Sequence, residues 1–337
     1  MEYTTLGDSG LSVSRICLGC MGFGGSDWGT DHEESVELVE RAIELGVNFF
    51  DTANMYSGGD SERILGDALA GHRDWSVVAT KVHPTMGPAA EAHPNGAGLS
   101  RKAIEQELAH SLDRLGMETV DLYQIHRWDP DTPIAETLRT LDDAVRRGRV
   151  RYLGASSTRA HELAAALHAS DALGLERFVS MQNHYNLVYR EEEREMLPLC
   201  EREGVGVIPW SPLARGYLAR PDDELEATAR GAAEAESHDE FRAIYRSGGG
   251  RDINRRVAEL AEERGVSMAQ IAIAWQLRRV TAPVVGVSSV EHLEEAVEAV
   301  DLSLSDSDVE YLEEPYEPSR VHPVFVGPSE GPYRPVG

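Results

Sequence analysis

Eight short runs rich in Val, Ile and Phe recur along the chain, each set off from the next by a longer stretch with a helical pattern. They are ICLGCMG (from Ile16), VNFFDT (Val47), VVATKV (Val77), VDLYQIH (Val120), VRYLGASS (Val150), FVSMQNHYN (Phe178), VGVIPWSP (Val205) and PVVGVSS (Pro283). Their apolar residues are nearly continuous rather than alternating, as expected of strands covered on both faces in a parallel sheet wrapped by helices. The intervening stretches carry helix signals: Ser100 suits an N-cap before RKAIEQELAHSLDRLG with Gly116 as its stop, and Pro133 suits the first turn of a helix ending at Gly148. Further helices are predicted from Ser267 and after the eighth run. Eight strand–helix units without a break in composition predict one (β/α)8 barrel over residues 1–315, with a Pro/Gly-rich tail, 316–337, lying on or near it. A doubly wound sheet is the alternative.

Two additions decorate this plan. Residues Tyr3 to Val13, around LGDSG, predict a β-hairpin ahead of the first strand, placed to plug the bottom of the barrel. Between strands seven and eight lies a polar, acidic insertion, 219–250, containing SGGG. It reads as a lid loop, or else as a surface insertion without order.

Composition narrows the partners. The net charge is −26, and only two lysines occur, Lys81 and Lys102. Such a surface repels nucleic acid and anionic lipid, and acid enrichment with lysine depletion points to adaptation to high salt. No run of about 18 apolar residues suggests a membrane span, and the first residues lack the pattern of a secretory signal, so a cytoplasmic location is expected. Oligomeric state is not readable from the sequence. Cys17 and Cys20 make a CxxC spacing, but no second ligand pair lies nearby. Core packing is therefore expected rather than a metal site.

Active sites of (β/α)8 barrels form at the C-terminal ends of the strands. There the sequence places Asp51 and then Tyr56 after the second strand, Lys81 on the third and His126 on the fourth. Singly, each has a structural explanation. Together they converge on one pocket, where charges are costly unless paired. Asp51 can hold Lys81 charged, and Lys81 can lower the pKa of Tyr56, which is about 10 when unperturbed. His126 can donate to a carbonyl oxygen. Tyr56 then serves as general acid in reduction and general base in oxidation.

FFDTANMYSGGDSERILGDAL, ATK, DLYQIH, MQNHYNL and IPWSPLARG, in that order, resemble the aldo-keto reductases, with closest likeness to the bacterial and archaeal branch that includes aryl-alcohol dehydrogenase-like enzymes. The resemblance covers nearly the whole chain. It implies NAD(P)H-dependent reversible reduction of aldehydes or ketones, with Asp51, Tyr56, Lys81 and His126 as the catalytic set. A redox-sensing, cofactor-binding subunit with slow or no turnover is the alternative, and an intact set of four argues against it.

The same resemblance implies a nicotinamide stacked on Trp210, its carboxamide held by Ser156, Ser157 and Gln182. The pyrophosphate would lie along Ser211, Leu213 and Gly216, with Gly22 nearby. The adenosine end would meet Gly286, Ser288, Ser289, His292 and Glu295. Many NADP-dependent relatives carry arginine near the position of His292, and its absence here leaves NADP against NAD open; NADP is favoured on family habit, not on these residues, with NAD as the alternative. Many relatives carry asparagine where this chain has Ser157. A small-molecule carbonyl would meet a mouth formed by Phe23, Trp28, Met55, His83, Arg127 and Trp128, which suits an apolar or aromatic aldehyde. Arg127 would bind an anionic group or pair with Asp129.

Overall fold

The computed structural model describes residues 1–25, 29–84, 86, 93–228, 232 and 240–326. Short strands β1 (Tyr3–Thr5) and β2 (Ser12–Ser14) form the antiparallel hairpin. Eight further strands follow: β3 (Cys17–Gly19), β4 (Phe49–Asp51), β5 (Val77–Val82), β6 (Val120–Ile125), β7 (Val150–Ser156), β8 (Phe178–Gln182), β9 (Gly206–Val207) and β10 (Val284–Val285). They make one parallel sheet in the order β10-β3-β4-β5-β6-β7-β8-β9. The ring closes between its two ends: Val284 N–H donates to the Pro209 carbonyl at 2.9 Å, and Trp210 bridges both His184 and Val284. Pro209 has no N–H to give a ladder, so the seventh strand is cut to two residues and continues as isolated bridges.

Helices α1 (His32–Glu44), α2 (Asp60–Leu69), α3 (Arg101–Leu115), α4 (Ile134–Arg146), α5 (Ala160–Leu173) and α6 (Met196–Glu203) follow β3 to β8 in turn. After β9 come α7 (Glu240–Arg246), α8 (Gly250–Arg264) and α9 (Met268–Leu277), and after β10 come α10 (Val290–Glu298), α11 (Asp306–Glu313) and α12 (Pro323–Val326). The expected caps are in place. Ser100 Oγ accepts from Ala103 N–H and Gly116 ends α3 in the left-handed conformation; Ser267 caps α9 reciprocally with Gln270.

Two residues of sequence separate the inside of the barrel from the same strand's next inward position. Phe49, Val77, Ala79 and Leu122 point in and pack with Leu6 and Val13 of the hairpin, Cys17, Ile208, Ala282 and Val284. The hairpin thus seals the N-terminal end with apolar side chains. Phe50, Val78, Tyr123 and Ile125 point out, into the larger core shared with α1 to α5. Cys17, Cys20 and Cys200 are buried free thiols.

The insertion begins with a turn of 3-10 helix, Asp222–Ala227, and resumes in α7. These flanks are tied down: Asp222 pairs with Arg246 at 2.7 Å, and its N–H donates to Asn254 of α8. The tail returns to the barrel, where Tyr316 donates to Glu191 and Phe325 is fully buried. Among the described residues no helix is long and apolar enough to cross a membrane.

Candidate functional site

The inward positions that follow the apolar layer are polar: Asp51 after Phe49, Lys81 after Ala79, Gln124 after Leu122, and Gln182 on β8. Registers keep them level, with Lys81 opposite Gln124 and Ser156 opposite Gln182. The result is one network at the C-terminal end of the barrel. Lys81 Nζ donates to Asp51 Oδ1 at 2.5 Å, to the Thr52 carbonyl at 2.9 Å and to the Tyr56 hydroxyl at 3.2 Å. Asp51 Oδ2 accepts from Gln124 Nε2 and from Gln182 Nε2, each at 2.9 Å. Lys81 is 0% and Asp51 2% exposed, so neither charge is shared with bulk water.

Tyr56 reaches this network from a turn, not from a strand. The chain passes Tyr56 and then Ser57, Gly58 and Gly59 at positive φ before α2 begins. Gly59, at φ 98°, holds a conformation that favours glycine, and a Cβ there would also press on the Arg114 side chain, with Cδ at 2.7 Å. The His126 ring stands edge-on to Tyr56, centroids 5.8 Å apart.

Electrostatics assign states to these groups. Burial acts to lower the Lys81 pKa, but Asp51 and Tyr56 outweigh it and hold the ammonium above its ordinary range. Burial drives His126 well below the usual imidazole value, helped by the positive charges of Lys81 and Arg127, so the ring is neutral at pH 7. Tyr56 corrects the sequence expectation. Lys81 does pull its pKa down, but burial is the larger effect and the phenol is raised overall. The hydroxyl therefore holds its proton at neutral pH.

Among the described residues, six other than glycine sit at positive φ, and all follow C-terminal strand ends: Ser57, His83, Ser157, Ser211, Ala214 and Arg215. Such strain costs on the order of 1–3 kcal/mol each and collects at functional sites. Four of the six lie around Trp210. Its indole N–H donates to Ser157 Oγ at 3.2 Å, and Ser156 and Ser157 hydroxyls are 3.2 Å apart. The Gln182 amide is oriented by Asp51, which takes its Nε2 and leaves Oε1 as the end available to a ligand. Ser211, half-buried Leu213 and Gly216 (φ 95°) form the next turn, with Asn186 holding the Ser211 carbonyl. Beyond β10, Gly286 and Ser288 are exposed; Ser289 caps α10 by accepting from His292 N–H, and Ser288 meets His292 Nδ1 at 3.2 Å. Glu295 lies half-buried on α10. Gly22 turns the chain after β3, its carbonyl accepting from Thr30 N–H.

A stacking wall, a fixed amide acceptor, two hydroxyls and a helix start fit a dinucleotide laid across this rim. Trp210 is itself backed by His184, which sequence reasoning passed over. His184 is fully buried, 4.2 Å from the Trp210 ring and stacked 4.0 Å from Phe325 of the tail. Burial and Arg215 keep it neutral. Gln124 was also passed over, although its place two residues after the inward Leu122 on β6 puts it on the inward face.

The proposed mouth is only partly assembled. Met55 is 41% exposed, while His83, Arg127 and Trp128 are half-buried. Phe23 does not line it: at 1% exposure it belongs to the core with Leu38, Ile64 and Leu65. Trp28 lies outside the described residues. Asp129 does not pair with Arg127; its carboxylate is held instead by Leu99 N–H, Thr132 Oγ1 and Asp131 N–H. Among the described residues, no three His, Cys, Asp or Glu side chains gather as metal ligands.

The family model of the aldo/keto reductases matches residues 15–317. This chain belongs to the aldo/keto reductase family. It is 44% identical to aldo-keto reductase AFTS1 of Alternaria alternata, over 93% of this chain and 91% of that one. It is 43% identical to versiconal hemiacetal acetate reductase of Aspergillus parasiticus, over 96% and 99%. It is 42% identical to aldo-keto reductase dtxS3 of Metarhizium robertsii, over 95% and 92%. Aldo/keto reductases are oxidoreductases that reduce carbonyl groups, generally with a nicotinamide cofactor.

Proposed function

We propose that this aldo/keto reductase reduces aldehydes or ketones to alcohols, reversibly, with NADPH favoured over NADH. The observation that carries the reading is the placement of the Lys81 ammonium between Asp51 Oδ1 and the Tyr56 hydroxyl, beside a neutral His126. A nicotinamide cofactor, when bound, would supply hydride to the carbonyl carbon. Trp210, Ser156, Ser157 and Gln182 Oε1 are the groups that would hold its ring and carboxamide, with Ser211 to Gly216 and the start of α10 along the rest of the cofactor.

The chain's own part is proton management. Tyr56 O–H donates its proton to the carbonyl oxygen as the C–O double bond becomes an alkoxide, so the product leaves as an alcohol and Tyr56 becomes a phenolate. That charge forms 3.2 Å from Lys81 Nζ. Asp51 keeps Lys81 charged throughout, and Gln124 and Gln182 keep Asp51 facing it. A neutral imidazole at His126 offers one N–H to the same oxygen without competing for the proton. In oxidation the phenolate takes the alcohol proton back.

The test is a paired assay of 4-nitrobenzaldehyde with NADPH or NADH, following loss of reduced-nicotinamide absorbance, for wild type and Tyr56→Phe. Wild-type turnover with at least one cofactor is expected, as is a loss of at least about a hundredfold in Tyr56→Phe with cofactor affinity kept. Equal turnover in the two proteins would remove Tyr56 from the chemistry. Cofactor binding with no turnover by wild type would favour a sensor.

A further inference from the structure

Half-buried arginines in this acidic protein are generally matched to acceptors. Arg73 pairs with Asp121, Arg114 with Glu62 and Arg190 with both Glu193 and Glu313. Arg127 is not. Among the described residues it carries the one guanidinium nitrogen that is buried with no hydrogen-bond partner. The acid two residues away, Asp129, is spent on Leu99, Thr132 and Asp131. Arg127 directly follows His126, and its charge acts on Tyr56, His126 and His83. His83, whose imidazole burial keeps neutral, carries no negative charge to compensate it. An uncompensated, partly desolvated cation is costly to keep unless a ligand completes it.

What completes it is not the cofactor's pyrophosphate under the reading above. Arg127 follows β6, whereas the pyrophosphate turn follows β9, with β7 and β8 between them in the sheet. We propose, building on the reductase reading, that the carbonyl substrates of this protein carry a carboxylate that pairs with Arg127 while the carbonyl oxygen meets Tyr56 and His126. The planar guanidinium presents parallel N–H donors that match a carboxylate edge to edge. The net charge of −26 disfavours anions at a distance, so the preference must come from this short-range contact.

The experiment measures kcat/KM for 2-, 3- and 4-formylbenzoate against their methyl esters, in wild type, Arg127→Lys and Arg127→Met. At least one formylbenzoate should exceed its ester by about tenfold to a hundredfold in wild type, the range expected of a hydrogen-bonded charge. That ratio should shrink in Arg127→Lys and fall to about one in Arg127→Met. An independent arm uses wild type alone: benzoate should inhibit reduction of the uncharged 4-nitrobenzaldehyde competitively, and benzamide should not. Turnover with no preference for any carboxylate, or a preference that survives Arg127→Met, would overturn the proposal while leaving the reductase reading intact. Failure of wild type to reduce any of these aldehydes would overturn both.

Discussion

Replacing Asp51 by asparagine tests the core of the site without any substrate. The change removes the carboxylate that, among the described residues, pairs with a lysine that is 0% exposed. It also sets a hydrogen-bonding conflict. Oδ1 accepts from Lys81 and Oδ2 accepts from two glutamine amides, so the asparagine NH2, whichever way it turns, must face a donor. Breaking a buried ion pair by removing one partner costs about 3–5 kcal/mol. For a chain of 337 residues the entropy of unfolding is about 0.7 kcal/mol/K, so Tm should fall by about 4–7 °C at pH 7.

The deficit should depend on pH with a definite sign. In wild type the Lys81 pKa lies above its unfolded value of about 10.4, so the lysine's contribution to stability is fully present just below that value and is lost as pH climbs through the raised folded value. Without Asp51, burial lowers it instead. The unfolded chain then binds more protons than the folded one between the depressed value and about 10.4, and stability rises with pH across that interval. Thermal melts of cofactor-free protein should show a gap between Asp51→Asn and wild type that is widest near pH 6 and narrows toward pH 10. Asp51→Asn/Lys81→Met should melt above Asp51→Asn alone, since it removes the stranded charge. A gap below about 1 °C, a gap independent of pH, or a double variant no more stable than the single would refute the reasoning.

Gln124→Leu should leave Asp51 Oδ2 with one donor in place of two and lower kcat for aldehyde reduction by about tenfold, with cofactor affinity little changed; steady-state kinetics with cofactor titration check this. Burial pushes the Glu192 carboxyl up to about 7, so its contribution to stability is whole below the ordinary carboxylate range near 4.5 and lost as pH rises to about 7. Glu192→Gln keeps an acceptor for Asn183 and should raise Tm at pH 8 by a few degrees while leaving it nearly unchanged at pH 4.5. A chain of net charge −26 should gain Tm as potassium chloride rises into the molar range, and a Tm that falls with salt would count against adaptation to high salt.

The barrel was legible because its evidence is distributed over eight apolar runs and their helix signals, and no single misread element could undo it. Asp51, Lys81 and His126 were legible because titratable residues at strand ends are rare and costly to bury, so each stands out against an apolar run. Gln124 carries no charge and sits inside such a run, DLYQIH, where nothing local marks it; only the barrel's inward alternation and the distance to Asp51 do. His184 was hidden for another reason: its partners, Trp210 and Phe325, are remote in sequence. The Tyr56 pKa was misjudged because sequence names the neighbouring cation but not the depth of burial, and the two act in opposite directions. Phe23 and Arg127 show the same limit. A mouth can be guessed from loops after strands, but which side chain turns under, and which acid is already committed elsewhere, are matters of packing.

Each of β4, β5 and β6 spends one inward residue on the apolar floor and the next, two positions on, on the network above it: Phe49 and Asp51, Ala79 and Lys81, Leu122 and Gln124. Loss or gain of one residue within any of these strands would exchange its faces, sending its polar inward residue into the layer beneath the helices and an outward residue into the site. Variation by insertion and deletion is therefore barred from the strands and diverted to the segments between them. Descent within this architecture can change what enters the mouth while the proton-handling groups stay fixed to the staves.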